Sequence, residues 1–164
     1  MTFEEIYQLI SAQFPDLEIS QPEETANALI VKSESWLPVA EFIAAADELK
    51  FDSLHCITGV DNGPENNLEV RYNFFSMTHR HWLEVQIILD RDQPSVPSVE
   101  KIWRTADWLE RETYDMYGIV FEWHRDLRRI LLEDDWEGWP LRKDYVEPQF
   151  YRDMPVPKDK SGWE

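Results

Sequence analysis

The chain has 164 residues, one cysteine and a formal net charge of −17 at pH 7. This length suits one domain that buries its own core, and the acidic balance argues against nucleic acid and anionic lipid as partners. The longest apolar run, 42–46, is far shorter than the roughly 20 residues of a membrane-spanning helix, so we predict no transmembrane segment. Because Cys56 has no partner for an internal disulfide and no signal-peptide pattern opens the chain, we expect a reducing compartment such as the cytoplasm.

The two ends of the chain differ in charge. Residues 1–50 carry ten acidic and two basic side chains, whereas residues 101–164 carry eleven of the sixteen basic side chains. Six of the eight tryptophans also lie in 101–164. Aromatic and arginine anchors are typical of protein contact sites. We therefore expect the C-terminal third to make the contacts.

The first elements predicted are a helix and a hairpin. Thr2 and Glu5 form a capping-box pattern, and helical spacing of apolar residues predicts an amphipathic helix over 3–13. Apolar residues at 17–19 and 28–31 flank a Gln-Pro-Glu-Glu turn, which predicts two short strands in a hairpin.

A second helix and three strands follow. Ser35 and Pro38 mark a helix start, and one apolar face comprises Trp36, Val39, Phe42, Ile43, Ala46 and Leu49. Apolar alternation over 54–60, 68–74 and 83–89 predicts three strands, the first two joined by an Asn-Gly turn.

The last element predicted is a helix after a loop over 90–97. Ser98 suits its N-cap, and Gly118 suits a left-handed C-terminal cap. Its predicted inner face comprises Ile102, Ala106, Leu109, Thr113 and Met116.

This order of elements predicts an α+β fold: a two-layer domain with a mixed, roughly five-stranded sheet and helices on one face. The domain should cover 1–146. Residues 147–164 contain three prolines and isolated aromatics, which predicts an extended tail, either loose or laid along a partner.

The chain lacks the motifs of a resident cofactor. One cysteine cannot supply the four thiolates of an iron–sulfur cluster, and no glycine-rich nucleotide motif occurs. His79 and His81, with His55 and Cys56, could form a zinc site. In the alternative interpretation, His79 and His81 belong to a polar hairpin tip and Cys56 is a small core residue.

One group of charged residues on the last predicted helix admits two interpretations. Glu110, Glu112 and Asp115 are candidate acid/base carboxylates. In the alternative interpretation, Asp107, Arg111 and Asp115 recur at i, i+4, which is the spacing of ordinary helix ion pairs.

The cations that follow this helix also admit two interpretations. Arg128, Arg129, Arg142 and Lys143 either bind acidic groups of another protein or pair internally. Their candidate internal partners are Asp126, Asp134 and Asp144.

Two blocks of residues in the C-terminal third form a signature: Glu110, Arg111, Glu112, Thr113, Asp115, Gly118, Ile119, Phe121, His124, Leu127, Arg128, Arg129, Ile130 and Leu131, then Gly138, Pro140, Leu141, Arg142, Lys143, Asp144 and Tyr145. The signature resembles that of a known family, the 30 kDa subunit of respiratory complex I (NADH:quinone oxidoreductase), called the C subunit in bacteria and the J subunit in cyanobacteria and chloroplasts. Arg125 stands where the family usually has proline, which fixes φ, so the turn there is expected to differ.

The resemblance implies a cofactor-free structural subunit in the peripheral arm of a proton-translocating complex. It would support the family's forty-nine-kilodalton subunit, here called the quinone-site subunit because it helps to form the quinone site. FMN, iron–sulfur clusters and quinone would be bound by partner subunits. The complex would lie on the cytoplasmic face of the bacterial inner membrane, or on the matrix or stromal side in organelles. The signature residues would then be interface or fold-stabilising groups and not catalysts.

Three rival functions remain open. Two belong to the same family: the equivalent subunit of a ferredoxin-fed photosynthetic complex or of a membrane-bound hydrogenase. The third is a free-standing enzyme that uses Glu110, Glu112 and His124 in acid/base catalysis.

Overall fold

A computed structural model describes residues 1–22 and 27–156. The largest sheet has four strands in the order β1-β4-β3-β2, in which β1 runs parallel to β4 and the other neighbours are antiparallel. The helices are α1 (Phe3–Gln13), α2 (Ser33–Ala45) and α3 (Ala106–Tyr117), and the strands of this sheet are β1 (Ala28–Ile30), β2 (Ser53–Asp61), β3 (Leu68–Phe75) and β4 (Trp82–Leu89).

Two small strand pairs accompany this sheet. β5 (Ser95–Pro97) runs parallel to β6 (Val120–Glu122), and β7 (Phe150–Tyr151) pairs with β8 (Met154–Pro155) in a hairpin. The α+β class and the mixed sheet are confirmed. The sheet has four strands where roughly five are predicted, because the segment before β1 contributes no strand to it.

The core lies between the helices and one face of the sheet. Alternate residues of β3 are fully buried, and the Trp36 ring of α2 lies 4.7 Å from that of Tyr72, centroid to centroid. Tyr117 at the end of α3 packs directly on Gly59 of β2, on the same face, where a Cβ would collide with its ring. Both helices therefore cover one face, as the two-layer prediction requires.

The N-terminal helix is confirmed, including its capping box: the Glu5 N–H donates to Thr2 Oγ1 and the Thr2 N–H donates to the Glu5 carboxylate. Of the two strands predicted over 17–19 and 28–31, the second is confirmed as β1, but the two do not form a hairpin. One antiparallel bridge, Ser20 with Ile30, forms in its place, because the Ile19 N–H bonds locally to the Leu17 carbonyl and turns the backbone. Residues 23 and 24 of the predicted turn lie outside the described residues.

The boundaries of α2 also differ from the prediction. The helix begins at Ser33, with Pro38 inside it, and ends at Ala45. Leu49, predicted to lie on its inner face, follows the helix and is nevertheless fully buried.

The largest error concerns α3, which begins at Ala106 and not after Ser98. The Ser98 hydroxyl donates to the buried Glu110 carboxylate and caps no helix, so Ile102 lies in a turn. The predicted loop over 90–97 contains β5, which pairs with an unpredicted strand, β6. The left-handed cap at Gly118 is confirmed, with φ 70°.

Candidate functional site

The signature residues lie on α3 and on the segment that follows it, here called the C-terminal arm (residues 123–156). Apart from the short β7–β8 hairpin the arm has no helix or strand. Local turn bonds and contacts with the domain therefore fix its path. Three groups of contacts hold it against the domain.

The first anchor is Asp115, whose side chain is completely buried on α3. Its Oδ2 accepts the backbone N–H groups of three successive arm residues, Ile130, Leu131 and Leu132, at 3.0, 2.7 and 2.9 Å. Burial alone would raise the pKa of Asp115, but these bonds and one from Arg129 lower it below its ordinary value. The carboxylate thus remains charged and folds the arm around itself.

Arg129 completes this anchor from the arm side. Its guanidinium lies 2.6 Å from Asp115 Oδ1 and also donates to the carbonyls of Trp136 and Gly138, both at 2.9 Å. The same group stacks on the Trp139 ring at 4.6 Å. One planar cation therefore joins α3 to the start and the end of the turn over 129–139.

Arg111 contributes from α3 by donating to the carbonyls of Arg128 and Arg129. The expectation of helix ion pairs with Asp107 or Asp115 is wrong. All three side chains are buried, and their partners come from the arm and from the turn that precedes α3.

The second anchor is the C-terminal end of α3. The Leu141 N–H donates to the Met116 carbonyl and Arg142 Nε donates to the Tyr117 carbonyl at 2.6 Å, so the arm satisfies carbonyls that a helix end leaves free. Trp139 packs against the bare Cα of Gly118, where any Cβ would meet the indole.

The third anchor joins the arm to the sheet. Asp61, at the end of β2, accepts the Lys143 N–H at 2.7 Å and both terminal nitrogens of Arg91 at 2.6 and 3.0 Å. Arg91 also donates to Asp144 at 2.7 Å. Hydrogen bonds from Arg91 lower the pKa of Asp61 well below its ordinary value.

The far end of the arm folds back on itself. Tyr151 donates its hydroxyl to Asp135 at 2.8 Å and packs on Trp136, and Arg152 pairs with Asp135 at 3.0 Å. Residues 150–155 therefore form a hairpin and not a wholly extended tail. Residues 157–164 lie outside the described part of the chain, and partner binding by 147–164 stays a prediction.

A separate buried cluster lies where the arm begins. Glu110 and His124 have no exposed side-chain surface, and His124 Nε2 lies 3.8 Å from Glu110 Oε2. Glu110 accepts hydrogen bonds from the Ser98 hydroxyl at 2.5 Å and the Val99 N–H at 2.8 Å. Burial raises the pKa of Glu110 to about 7, against the opposing effect of these two bonds.

The signature residues therefore divide into two classes. Those turned inward are Glu110, Arg111, Asp115, Gly118, His124, Arg129 and Arg142. Glu112, Arg128, Leu141 and Lys143 are exposed, Pro140 is half-buried, and Asp144 is partly exposed beside Arg91. Internal contacts hold several of the cations, and Arg128 uses a predicted partner, Asp126. The interface role of the exposed residues stays a prediction.

Several residues that hold the arm carry no functional signal in the sequence. Asp61 belongs by pattern to a turn cluster, and neither Arg91 nor Tyr117 falls in a recognisable motif. Asp61 lies 82 residues from its arm contact at Lys143. Local pattern does not encode such a pairing.

The arrangement of the described residues supports neither the acid/base nor the zinc interpretation. Glu112 points to solvent, away from the buried Glu110 and His124, so these three do not form one open site. His79 and His81 each bond a main-chain carbonyl, of Asp47 and Leu49. Among residues 1–22 and 27–156, no three His, Cys, Asp or Glu side chains cluster in a way suited to a metal ion.

The exposed surface of the arm is rich in large apolar side chains: Leu131, Leu141, Val146, Phe150 and Met154 are between 52% and 82% exposed. Solvent-exposed apolar groups grouped on one segment are typical of a protein contact surface. In the described ranges, no helix combines the length and hydropathy needed to cross a bilayer.

The match to a known protein family covers this architecture. Residues 29–151 match the family model of the respiratory-chain NADH dehydrogenase 30 kDa subunit, which spans most of the chain. The chain belongs to this family. The matched range runs from β1 to β7, including α3 and nearly all of the arm.

Bacterial relatives agree with this assignment. The chain is 50% identical over 125 residues to the NADH-quinone oxidoreductase C subunit of Chloroherpeton thalassium, covering 76% of this chain and 52% of that protein. It is 42% identical to the C subunit from Chlorobium phaeobacteroides, covering 78% of each chain. The chain thus spans about half the length of one relative and about four fifths of another.

A further relative and two solved structures are also similar. The NAD(P)H-quinone oxidoreductase J subunit of a Synechococcus species is 38% identical, covering 89% of this chain and 81% of that protein. A chain of an archaeal membrane-bound sulfane sulfur reductase superposes with a TM-score of 0.69 at 26% identity, covering 87% and 85% of the two chains. A trypsin-resistant fragment of Nqo5 superposes with a TM-score of 0.58 at 27% identity, covering 77% and 100%.

Proposed function

We propose that this chain is a non-catalytic structural subunit in the peripheral arm of a proton-translocating NADH:quinone oxidoreductase. In this proposal the C-terminal arm contacts the quinone-site subunit. FMN, iron–sulfur clusters and quinone are bound by partner subunits. The complex holds the chain at the cytoplasmic face of the inner membrane, or on the matrix or stromal side in an organelle.

One observation carries the proposal. The arm has almost no secondary structure, yet buried charges fix its path while five of its large apolar side chains are more than half exposed. Burying an Asp–Arg pair is costly, and its use to present exposed leucine, valine and phenylalanine is explained if another protein covers them. An arm that is fixed by buried charges and exposes apolar side chains suits a scaffold that binds another subunit.

The absence of redox ligands in the sequence supports the non-catalytic role. The only cysteine is Cys56, and the buried carboxylate and imidazole of Glu110 and His124 have no side-chain surface that a substrate would reach. Electron transfer in such a complex needs cofactors that other chains supply.

A second candidate is the equivalent subunit of a complex with another electron donor or acceptor. It is favoured by the 38% identity to the J subunit and by the fold shared with the sulfane sulfur reductase chain. The higher identities, 50% and 42%, are to C subunits of NADH-quinone oxidoreductases, and these support the first proposal.

Affinity purification from the native membrane, followed by identification of subunits, tests both candidates. We expect a larger assembly that contains a quinone-site subunit and oxidises NADH with quinone as acceptor. An assembly that accepts electrons from reduced ferredoxin and not from NADH would select the second candidate. Recovery of the chain alone would contradict both.

A further inference from the structure

The buried cluster at the base of the arm is unbalanced in charge. Three carboxylates converge there: Glu100 and Asp107 are at most 8% exposed, and Glu110 is fully buried. Among the described residues, two arginines, Arg104 and Arg125, pair with these carboxylates. With all carboxylates ionised and a neutral imidazole at His124, the cluster carries one uncompensated negative charge. A buried charge without a partner is strongly disfavoured.

Both guanidinium groups pair with carboxylates other than that of Glu110. Arg104 lies 2.6 Å from Glu100 Oε2, and Arg125 is paired with Asp107. Glu110 instead faces neutral donors, the Ser98 hydroxyl and the Val99 N–H. The uncompensated charge therefore falls on Glu110.

The hydrogen bonds of His124 suit a neutral ring. Its Nδ1 accepts the Asp126 N–H at 3.1 Å, so the ring proton lies on Nε2, which faces the Asp107 carbonyl at 3.1 Å. A second proton at Nδ1 would oppose the Asp126 N–H, donor against donor. Nε2 also lies 3.4 Å from the Asp107 carboxylate, and the bond from the Asp126 N–H to Nδ1 forms only while Nδ1 carries no proton.

The remaining neighbour is Tyr72 on β3. Its hydroxyl is buried and has no hydrogen-bond partner among residues 1–22 and 27–156. Burial raises the pKa of Tyr72, and the nearby Glu110 charge adds to this, so the phenol stays neutral. The titratable groups that face Glu110 are therefore Glu100 from the turn before α3, Asp107 from α3, His124 from the arm and Tyr72 from the sheet. The two arginines of the cluster, Arg104 and Arg125, contact Glu100 and Asp107.

We infer that Glu110 is a proton-binding site: its carboxyl group holds a proton at and below neutral pH and releases it above, loosening the turn over 124–126 that begins the arm. Loss of this proton leaves a carboxylate 3.8 Å from His124 Nε2 and draws the imidazole proton away from the Asp107 carbonyl. The arm is then less firmly joined to α3 at alkaline pH.

The sign of the effect follows from the direction of the shift. Burial raises the pKa of Glu110 from 4.5 to about 7 in the folded protein. The folded state thus binds the proton more tightly than the unfolded state does. The resulting stabilisation is complete below about 4.5 and is lost as the pH rises through about 7.

Titration of the Glu110 side-chain carbonyl carbon by NMR, from pH 5 to 9 in the full chain, tests this inference. The resonance is assigned by its loss in Glu110→Gln, or by its contacts with Val99 if that variant does not fold. We expect a midpoint near neutral pH and a coincident shift of the Asp126 amide. A carboxyl group that is ionised throughout this range would overturn the inference.

Denaturation of wild type and Glu110→Gln over the same range gives an independent readout. The amide of this variant mimics the protonated acid, so the unfolding constant of wild type should rise relative to that of the variant by on the order of 100-fold from pH 5 to 8.5. Glu112→Gln, which changes an exposed carboxylate two residues away on the same helix, is the control and should show no such rise. Parallel curves for wild type and Glu110→Gln would contradict the site. Neither measurement depends on assembly, so its failure leaves the proposed function standing.

Discussion

Asp115 and Arg129 form a buried ion pair, 2.6 Å from Oδ1 to the guanidinium nitrogen, that joins the last helix to the C-terminal arm. The same carboxylate collects three successive backbone N–H groups, and the same guanidinium collects two distant carbonyls. The pair therefore defines the path of a segment that has almost no secondary structure.

Asp115→Asn removes the charge but keeps the shape. The Arg129 side chain, which is only 10% exposed, then has no carboxylate partner. We expect the free energy of unfolding to fall by about 3–5 kcal/mol, the usual cost of breaking a buried ion pair. Urea denaturation at pH 7 measures it. Glu112→Gln, on the exposed side of the same helix, should change stability by less than about 0.5 kcal/mol. Equal effects of the two variants would show that the pair does not hold the arm.

Gly118→Ala tests the contact between the helix end and Trp139. The substitution forces alanine into φ 70° and drives its Cβ into the indole. We therefore expect the free energy of unfolding to fall by more than about 1 kcal/mol, which is the typical cost of the left-handed backbone alone. The melting temperature measures the loss. In a Trp139→Ala background the same change should cost only the backbone part. Equal costs in both backgrounds would rule out the collision.

Asp61→Asn tests the sheet anchor through pH. Because Arg91 lowers the pKa of Asp61 in the folded state, ionised Asp61 stabilises the protein above its unfolded pKa, near 3.8, and this stabilisation is lost as the pH falls through the lower folded value. The variant should therefore be less stable than wild type at pH 7, and the difference should shrink on acidification below about 4. Denaturation from pH 7 to 3 measures it. A constant difference would contradict the anchor.

Deletion of residues 147–164 separates assembly from folding. The described contacts of this segment with the rest of the chain are mainly to Trp136 and the exposed Asp135, and surface pairs contribute little stability. We expect a change in the melting temperature of the isolated chain of only a few degrees, with a clear loss of co-purification. A large drop in melting temperature with assembly intact would contradict a partner-binding tail.

The parts of the fold that follow local periodicity are predictable from the sequence. Strict alternation identifies β3 and β4, and the capping box identifies α1, because each pattern is carried by adjacent residues. The parallel pairing of β1 with β4 joins residues more than fifty positions apart, and no local pattern encodes it.

The site is harder to predict, because the buried face of α3 carries Asp107, Glu110, Arg111 and Asp115, which sequence pattern assigns to a solvated helix face. The family resemblance marks most of these positions as special without showing what they do. Their partners, such as the N–H groups of residues 130–132, are backbone atoms and leave no mark in the sequence.

The outward face of the arm carries the central claim, and one triple variant tests it directly. Leu141→Gln, Val146→Gln and Phe150→Gln replace side chains that are 52%, 82% and 63% exposed, so the melting temperature of the isolated chain should be unchanged. Matched changes at Met77 and Ile88, exposed on the sheet side at 64% and 44%, form the control. We predict that the triple variant no longer co-purifies with the quinone-site subunit while the control variant does. Normal co-purification of the triple variant would contradict the assignment of the arm as the contact surface.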